Sequence, residues 1–131
     1  MRVFLLRSSL PPEGIHKVLG SLEAVAVSKD SVRSLTEIRL ADHLARTSFE
    51  EGRNISRRLK YEFLLWLSGK KDIKSAMEAT APSEGSEFIL IVLSGDIDIE
   101  KDLGARELGL DLPESGDPLR LERISLSRIR N

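Results

Sequence analysis

Phe88-Ile89-Leu90-Ile91-Val92-Leu93 is a run of six apolar residues without a polar interruption. A strand of this kind is covered on both faces, so it belongs in the middle of a sheet rather than at its edge. The sequence around it supplies partners. Val3 to Leu6 and Ala24 to Val27 are short apolar runs suited to strands, and both lie before it in the chain. The remaining sequence reads mainly as helix. The expectation is a mixed α/β (α+β) fold, a small central β-sheet flanked by several helices, in a single domain of 131 residues.

Pro11-Pro12-Glu13 opens a short helix ending near Gly20, because proline fits a first turn and an acid suits the positive helix end. Asp30 or Ser31 is a cap for a long helix that stops at Gly52. Val32, Leu35, Ile38, Ala45 and Phe49 form its inward stripe at helical spacing, with His43 at the edge. A lone histidine there reads as a packed or surface residue, and His16 offers it no geometric partner. Asn54 is a good cap for a helix from Ile55 to Ser68, terminated by Gly69. Ile55, Leu59, Phe63 and Trp66 share one arc, and Arg53, Arg57 and Lys60 cluster on the other side within about 60°. The second half of this helix is apolar all round, so it is the helix expected to be most deeply buried.

Asp72 caps a further helix from Ile73 to Ala79, broken by Pro82. Beyond the central strand, Glu100 to Leu108 reads as a helix ended by Gly109. Asp117-Pro118 starts a terminal helix, Leu119 to Ile129, although the Leu119 and Leu121 alternation also suits a strand.

Charge is distributed in blocks. Arg53 to Lys74 holds seven bases and two acids, whereas Glu84 to Asp117 holds ten acids and two bases. Opposite blocks are compatible with one face that meets an anion such as nucleic acid, and equally with two solvated faces that balance. Cysteine is absent, which fits a reducing cytoplasm. No apolar run reaches the roughly 20 residues of a membrane helix, so no membrane partner is expected. The N-terminus reads as a first strand and not as a secretory signal.

Patterns for enzyme chemistry are missing. There is no Gly-rich phosphate loop, no GxSxG elbow, and no HExxH or CxxC pair. Asp96, Asp98, Glu100, Asp102 and Glu107 imitate the spacing of a calcium loop. The turn position that demands glycine holds Lys101, so the segment reads as a polar connection and no metal or cofactor is expected.

The stretch from Phe49 to Ala76 is distinctive: Gly52-Arg53-Asn54-Ile55, then Leu59-x-x-Glu62-x-Leu64-Leu65, then Gly69 and Lys71-Asp72-Ile73-x-x-Ala76. It resembles the CGI family of KEOPS subunits in its archaeal form, the family being called TPRKB in its eukaryotic branch. Leu121-Glu122-Arg123-Ile124-Ser125-Leu126 is similar to that family's terminal Leu-Glu-Arg-Met-Ala-Leu. Lys71-Asp72 stands where the family has Arg-Gln, and loss of the planar arginine fork bears on any bidentate phosphate contact there. The resemblance implies a non-enzymatic protein that binds and regulates the PRPK-like kinase subunit of KEOPS. It also implies a part in binding tRNA, at its 3′ CCA end, for threonylcarbamoyladenosine synthesis. The candidate RNA-binding residues are Arg53, Arg57, Lys60, Tyr61, Lys70 and Lys71, with Tyr61 either stacking on a base or packed in the core. The alternative is an RNA-binding module outside KEOPS that uses the same basic stripe.

Overall fold

The computed structural model describes residues 1–83, 85 and 87–128. The chain separates into two compact units, each discontinuous in sequence: residues 1–29 with 81–111, and residues 30–80 with 112–131.

The first unit holds the sheet. Its strands are β1 (Arg2–Ser8), β2 (Ala24–Ser28), β3 (Phe88–Val92) and β4 (Ala105–Leu108), in the order β2-β3-β1-β4 and antiparallel at every junction. β3 therefore has a strand on either side. Ile91 faces Val3 on one neighbour and Val25 on the other, and every residue of β3 is buried. Helix α1 (Pro12–Leu19) links β1 to β2, and the short α5 (Ile99–Leu103) links β3 to β4. Each linked pair is parallel with a third strand between its members, which is the split β-α-β arrangement of ferredoxin-like folds. Leu6, Ala26, Phe88 and Leu90 share one sheet face and pack with Ile15 and Leu19 of α1 and Leu103 of α5. Leu5, Val25, Val27, Ile89 and Ile91 alternate with them on the other face and are buried too.

The second unit is helical. It comprises α2 (Leu35–Glu50), α3 (Leu59–Ser68) and α4 (Ile73–Thr80), inserted between β2 and β3, and α6 (Pro118–Leu126) from the C-terminal segment. α2 packs on α3 and α6, and α3 also packs on α4. Ile38, Ala41, Ala45, Phe63, Ala76 and Ile124 are almost wholly excluded from solvent. Asp117 caps α6 as expected, its Oδ1 accepting the Leu119 amide at 2.9 Å, with Pro118 in the first turn. The expected helix end at Ile129 lies outside the described residues.

Three expectations are corrected. Helix α2 is capped by Ser34, not by Asp30 or Ser31, which belong to a 3₁₀ turn (Lys29–Ser31). Ser34 Oγ accepts the Glu37 amide at 3.2 Å, and the Leu35 and Thr36 amides reach the Pro113 and Glu114 carbonyls, so the orphan donors of the helix end are satisfied. Second, α3 starts at Leu59: Asn54 turns its side chain to the Ser56 carbonyl instead, and residues 53–58 form an irregular loop. Third, the helix expected to run to Leu108 ends at Leu103, and Ala105–Leu108 is strand β4. Gly104 adopts φ +55°, a left-handed conformation that reverses the chain and returns it to pair with β1.

Candidate nucleic-acid interface

Helix α3 carries the region that the sequence singles out, and it is the most buried helix, with Glu62 to Leu67 all excluded from solvent. The expected single stripe of cations along it does not exist. Because the helix starts four residues later than its pattern indicated, Arg53 and Arg57 sit in the preceding loop; Lys60 is on the helix, which is covered on nearly every side, and is itself only 3% exposed. Arg57 is exposed, and Arg53 is exposed but ion-paired with Glu51. Tyr61 is half-buried, with the Arg58 guanidinium 5.6 Å and the Lys60 ammonium 5.3 Å from its ring centre. Two cations on that ring leave it engaged within the protein.

The loop is organised by Glu62. This carboxylate is fully buried, and its Oε1 accepts the amides of Ile55 and Ser56, both at 2.9 Å. Its Oε2 lies 2.5 Å from Nη2 of Arg128, just beyond α6. Neither atom has a hydrogen-bond partner among the described residues, and the contact is an ion pair. The Arg128 guanidinium also lies over the Trp66 ring at 4.1 Å, and the Trp66 indole donates to Ser48 Oγ at 3.1 Å.

At the other end of α3 the chain turns at Gly69, with φ +72° and its amide bonded to the Leu65 carbonyl. Lys70 and Lys71 follow, both exposed, and Lys74 is exposed in the first turn of α4. Asp72 begins α4, accepting the Ser75 amide and hydroxyl, each at 2.8 Å. Those bonds, with the Lys74 and Lys70 charges adding, hold the Asp72 carboxyl below its ordinary 3.8. Beside Lys70 lies a cleft of about 310 Å³, lined by Ser68, Gly69, Lys70, Arg123, Leu126 and Ser127. Ser68 and Ser127 donate their hydroxyls to backbone carbonyls, so Lys70 and Arg123 are the charged groups the cleft presents. Among the described residues, the lining includes no carboxylate and no histidine. It offers positive charge and no acid–base pair, and its volume is at the small end for a ligand site.

The six sequence-stated residues thus fall into two groups about 15 Å apart along α3, with Arg53, Arg57, Lys60 and Tyr61 at its start and Lys70 and Lys71 beyond its end. Arg123 and Arg128 were missed as site residues. Arg123 stands in the Leu-Glu-Arg segment, a signal that was present; Arg128 meets Glu62 across 66 positions and leaves no local pattern. Among the described residues no cluster of three or more metal-ligating side chains occurs, and no helix is long and apolar enough to cross a membrane. No protein-family model matches the chain, and a search of curated proteins finds no match to it.

Proposed function

We propose that this chain is a non-catalytic subunit of a KEOPS-type complex, which binds and regulates the PRPK-like kinase subunit and helps hold tRNA by its 3′ CCA end for threonylcarbamoyladenosine synthesis. The observation that carries the reading is the turn between α3 and α4. It lies inside the stretch that resembles the CGI family, and it brings exposed Lys70 to the cleft that holds Arg123, with exposed Lys71 and Lys74 following in the chain. A CCA end is a single strand whose phosphates such cations neutralise. Ile73, next to Asp72, is 36% exposed and offers an apolar surface for an unpaired base. A small cleft suits a single-stranded terminus better than a duplex.

The kinase contact rests on the resemblance, with an exposed apolar residue in its support. Leu119 on α6, 72% exposed, is an apolar side chain available to such a contact. The complex should bury at least about 1,000 Å² in total. Size exclusion of the chain mixed with the kinase-like subunit at micromolar concentration tests it: co-elution is expected, and separate elution overturns the KEOPS assignment. An RNA-binding module outside KEOPS would bind tRNA and leave the kinase alone. Alone, the protein is expected to show no ATPase, nuclease or hydrolase turnover and to hold no stoichiometric metal.

A further inference from the structure

We infer that Arg128 is a positioning residue for the 53–58 loop, acting through Glu62, so that the C-terminal end of the chain sets the conformation of a basic loop some 70 residues earlier. Glu62 divides its two oxygens between two tasks. Oε1 fixes the Ile55 and Ser56 amides, and Oε2 is neutralised by Arg128. The side chain is wholly buried, so the charge of the carboxylate has no water to fall back on.

Arg128 is held differently. It lies beyond the last residue of α6, after a turn in which the Ser127 N–H bonds to the Ile124 carbonyl at 3.3 Å. Its other polar contacts, to Ser48 Oγ at 3.5 Å and the Arg53 carbonyl at 3.4 Å, are at the long limit for hydrogen bonds. The guanidinium is therefore secured mainly by Glu62 and by the Trp66 ring. A deeply fixed carboxylate paired with a lightly tethered arginine makes an asymmetric pair. When Arg128 leaves, the uncompensated carboxylate must reorganise, and the two loop amides that depend on it lose their acceptor. The segment released includes Arg57 and Ile55, the latter 54% exposed. Its bearing on RNA rests on the proposed function; the coupling itself does not.

The test uses the full chain, with amide hydrogen exchange read at Ile55 and Ser56 and, as a fold reference, at Leu90 and Ile91 of β3. Arg128→Met keeps the aliphatic stem and removes the charge. It should speed exchange at both loop amides by at least about a hundredfold, the least expected when a buried ion pair is broken, and leave the β3 amides unchanged. Where Arg128→Met fails to fold, Arg128→Lys, which keeps a charge but not the planar fork, is read in the same way and should fall between wild type and Met. Loop exchange at the wild-type rate in the folded variant overturns the inference. The same variants are titrated with tRNA alone and combined with Arg57→Ala. Sub-additive losses support a route through the loop. Faster loop exchange with unaltered tRNA affinity upholds the positioning role and removes the loop from the RNA-binding reading.

Discussion

Lys60 and Glu62 are charged residues in the first turn of one helix, and both are buried, which helical periodicity alone does not anticipate. A helical wheel puts Lys60 away from the Leu59, Phe63 and Trp66 arc, but α3 is covered on nearly every side, so that position is buried as well. Glu62 is held inside by two amides and an arginine remote in sequence. Breaking a buried pair by removing one partner typically costs about 3–5 kcal/mol, so Glu62→Gln should lower the urea-unfolding free energy by roughly that amount. Trp66, the only tryptophan, lies against Arg128 and reports the transition by fluorescence. A second position is sensitive for steric reasons. A Cβ on Gly116 would stand 2.5 Å from Ser34 Oγ, the atom that caps α2. Gly116→Ala should therefore cost about 1 kcal/mol, as loss of a cap does, while Gly109→Ala, with nothing within 4 Å, should be close to neutral. Equal thermal midpoints for the two variants would remove Ser34 as the cap that matters.

Elements with strong internal pattern were readable, and those set by a single left-handed glycine or a distant partner were not. β3 announces itself by unbroken apolarity, and α6 by Asp117-Pro118, because cap and first turn are neighbours in the chain. Ala105–Leu108 carries helix-compatible residues, and only its pairing with β1 makes it a strand. Ser34-Leu35-Thr36-Glu37 was an available capping-box signal, overshadowed by the two hydrophilic candidates before it. At the α3–α4 junction, Gly69 is required by its conformation. Gly69→Ala places an L-residue in the left-handed region and should cost about 1–2 kcal/mol, measured by chemical denaturation. The following cap has a defined pH signature. The folded-state value of Asp72 lies below its ordinary 3.8, so its contribution is present above 3.8 and is lost as pH falls through the lower folded value. The Ser75 amide resonance should titrate with a midpoint under 3.8, and Asp72→Ala should abolish that transition and lower the melting temperature. A midpoint at or above 3.8 would contradict the cap.

Across the whole molecule, the two units differ in charge, though less sharply than the sequence blocks do. The sheet unit has ten acids and six bases, and the helical unit has fourteen bases and eleven acids. Several of the latter are neutralised locally: Arg39 by Glu114, Arg46 by Asp42, Arg53 by Glu51, Arg120 by Glu37 and Arg128 by Glu62. Lys70 and Arg123 have no ion pair of this kind among the described residues and meet at one cleft, which makes them better candidates for phosphate than the Arg57 and Lys60 pair that the sequence favoured. Reversing both, Lys70→Glu with Arg123→Glu, should weaken tRNA binding and remove two counterion-releasing contacts. The slope of log affinity against log salt should then fall by about 1.4, at roughly 0.7 per single-strand phosphate. A matched control separates a local site from bulk charge. Lys17→Glu with Arg106→Glu changes net charge equally, on exposed residues of the sheet unit. It should leave the slope unchanged, since screening limits the reach of surface charges to about 10 Å at 0.1 M salt. The same titration with tRNA lacking its CCA end should erase the difference between wild type and the cleft variant. Equal weakening by both charge-reversal pairs would mean that tRNA senses the field of the protein as a whole, and the cleft would lose its role.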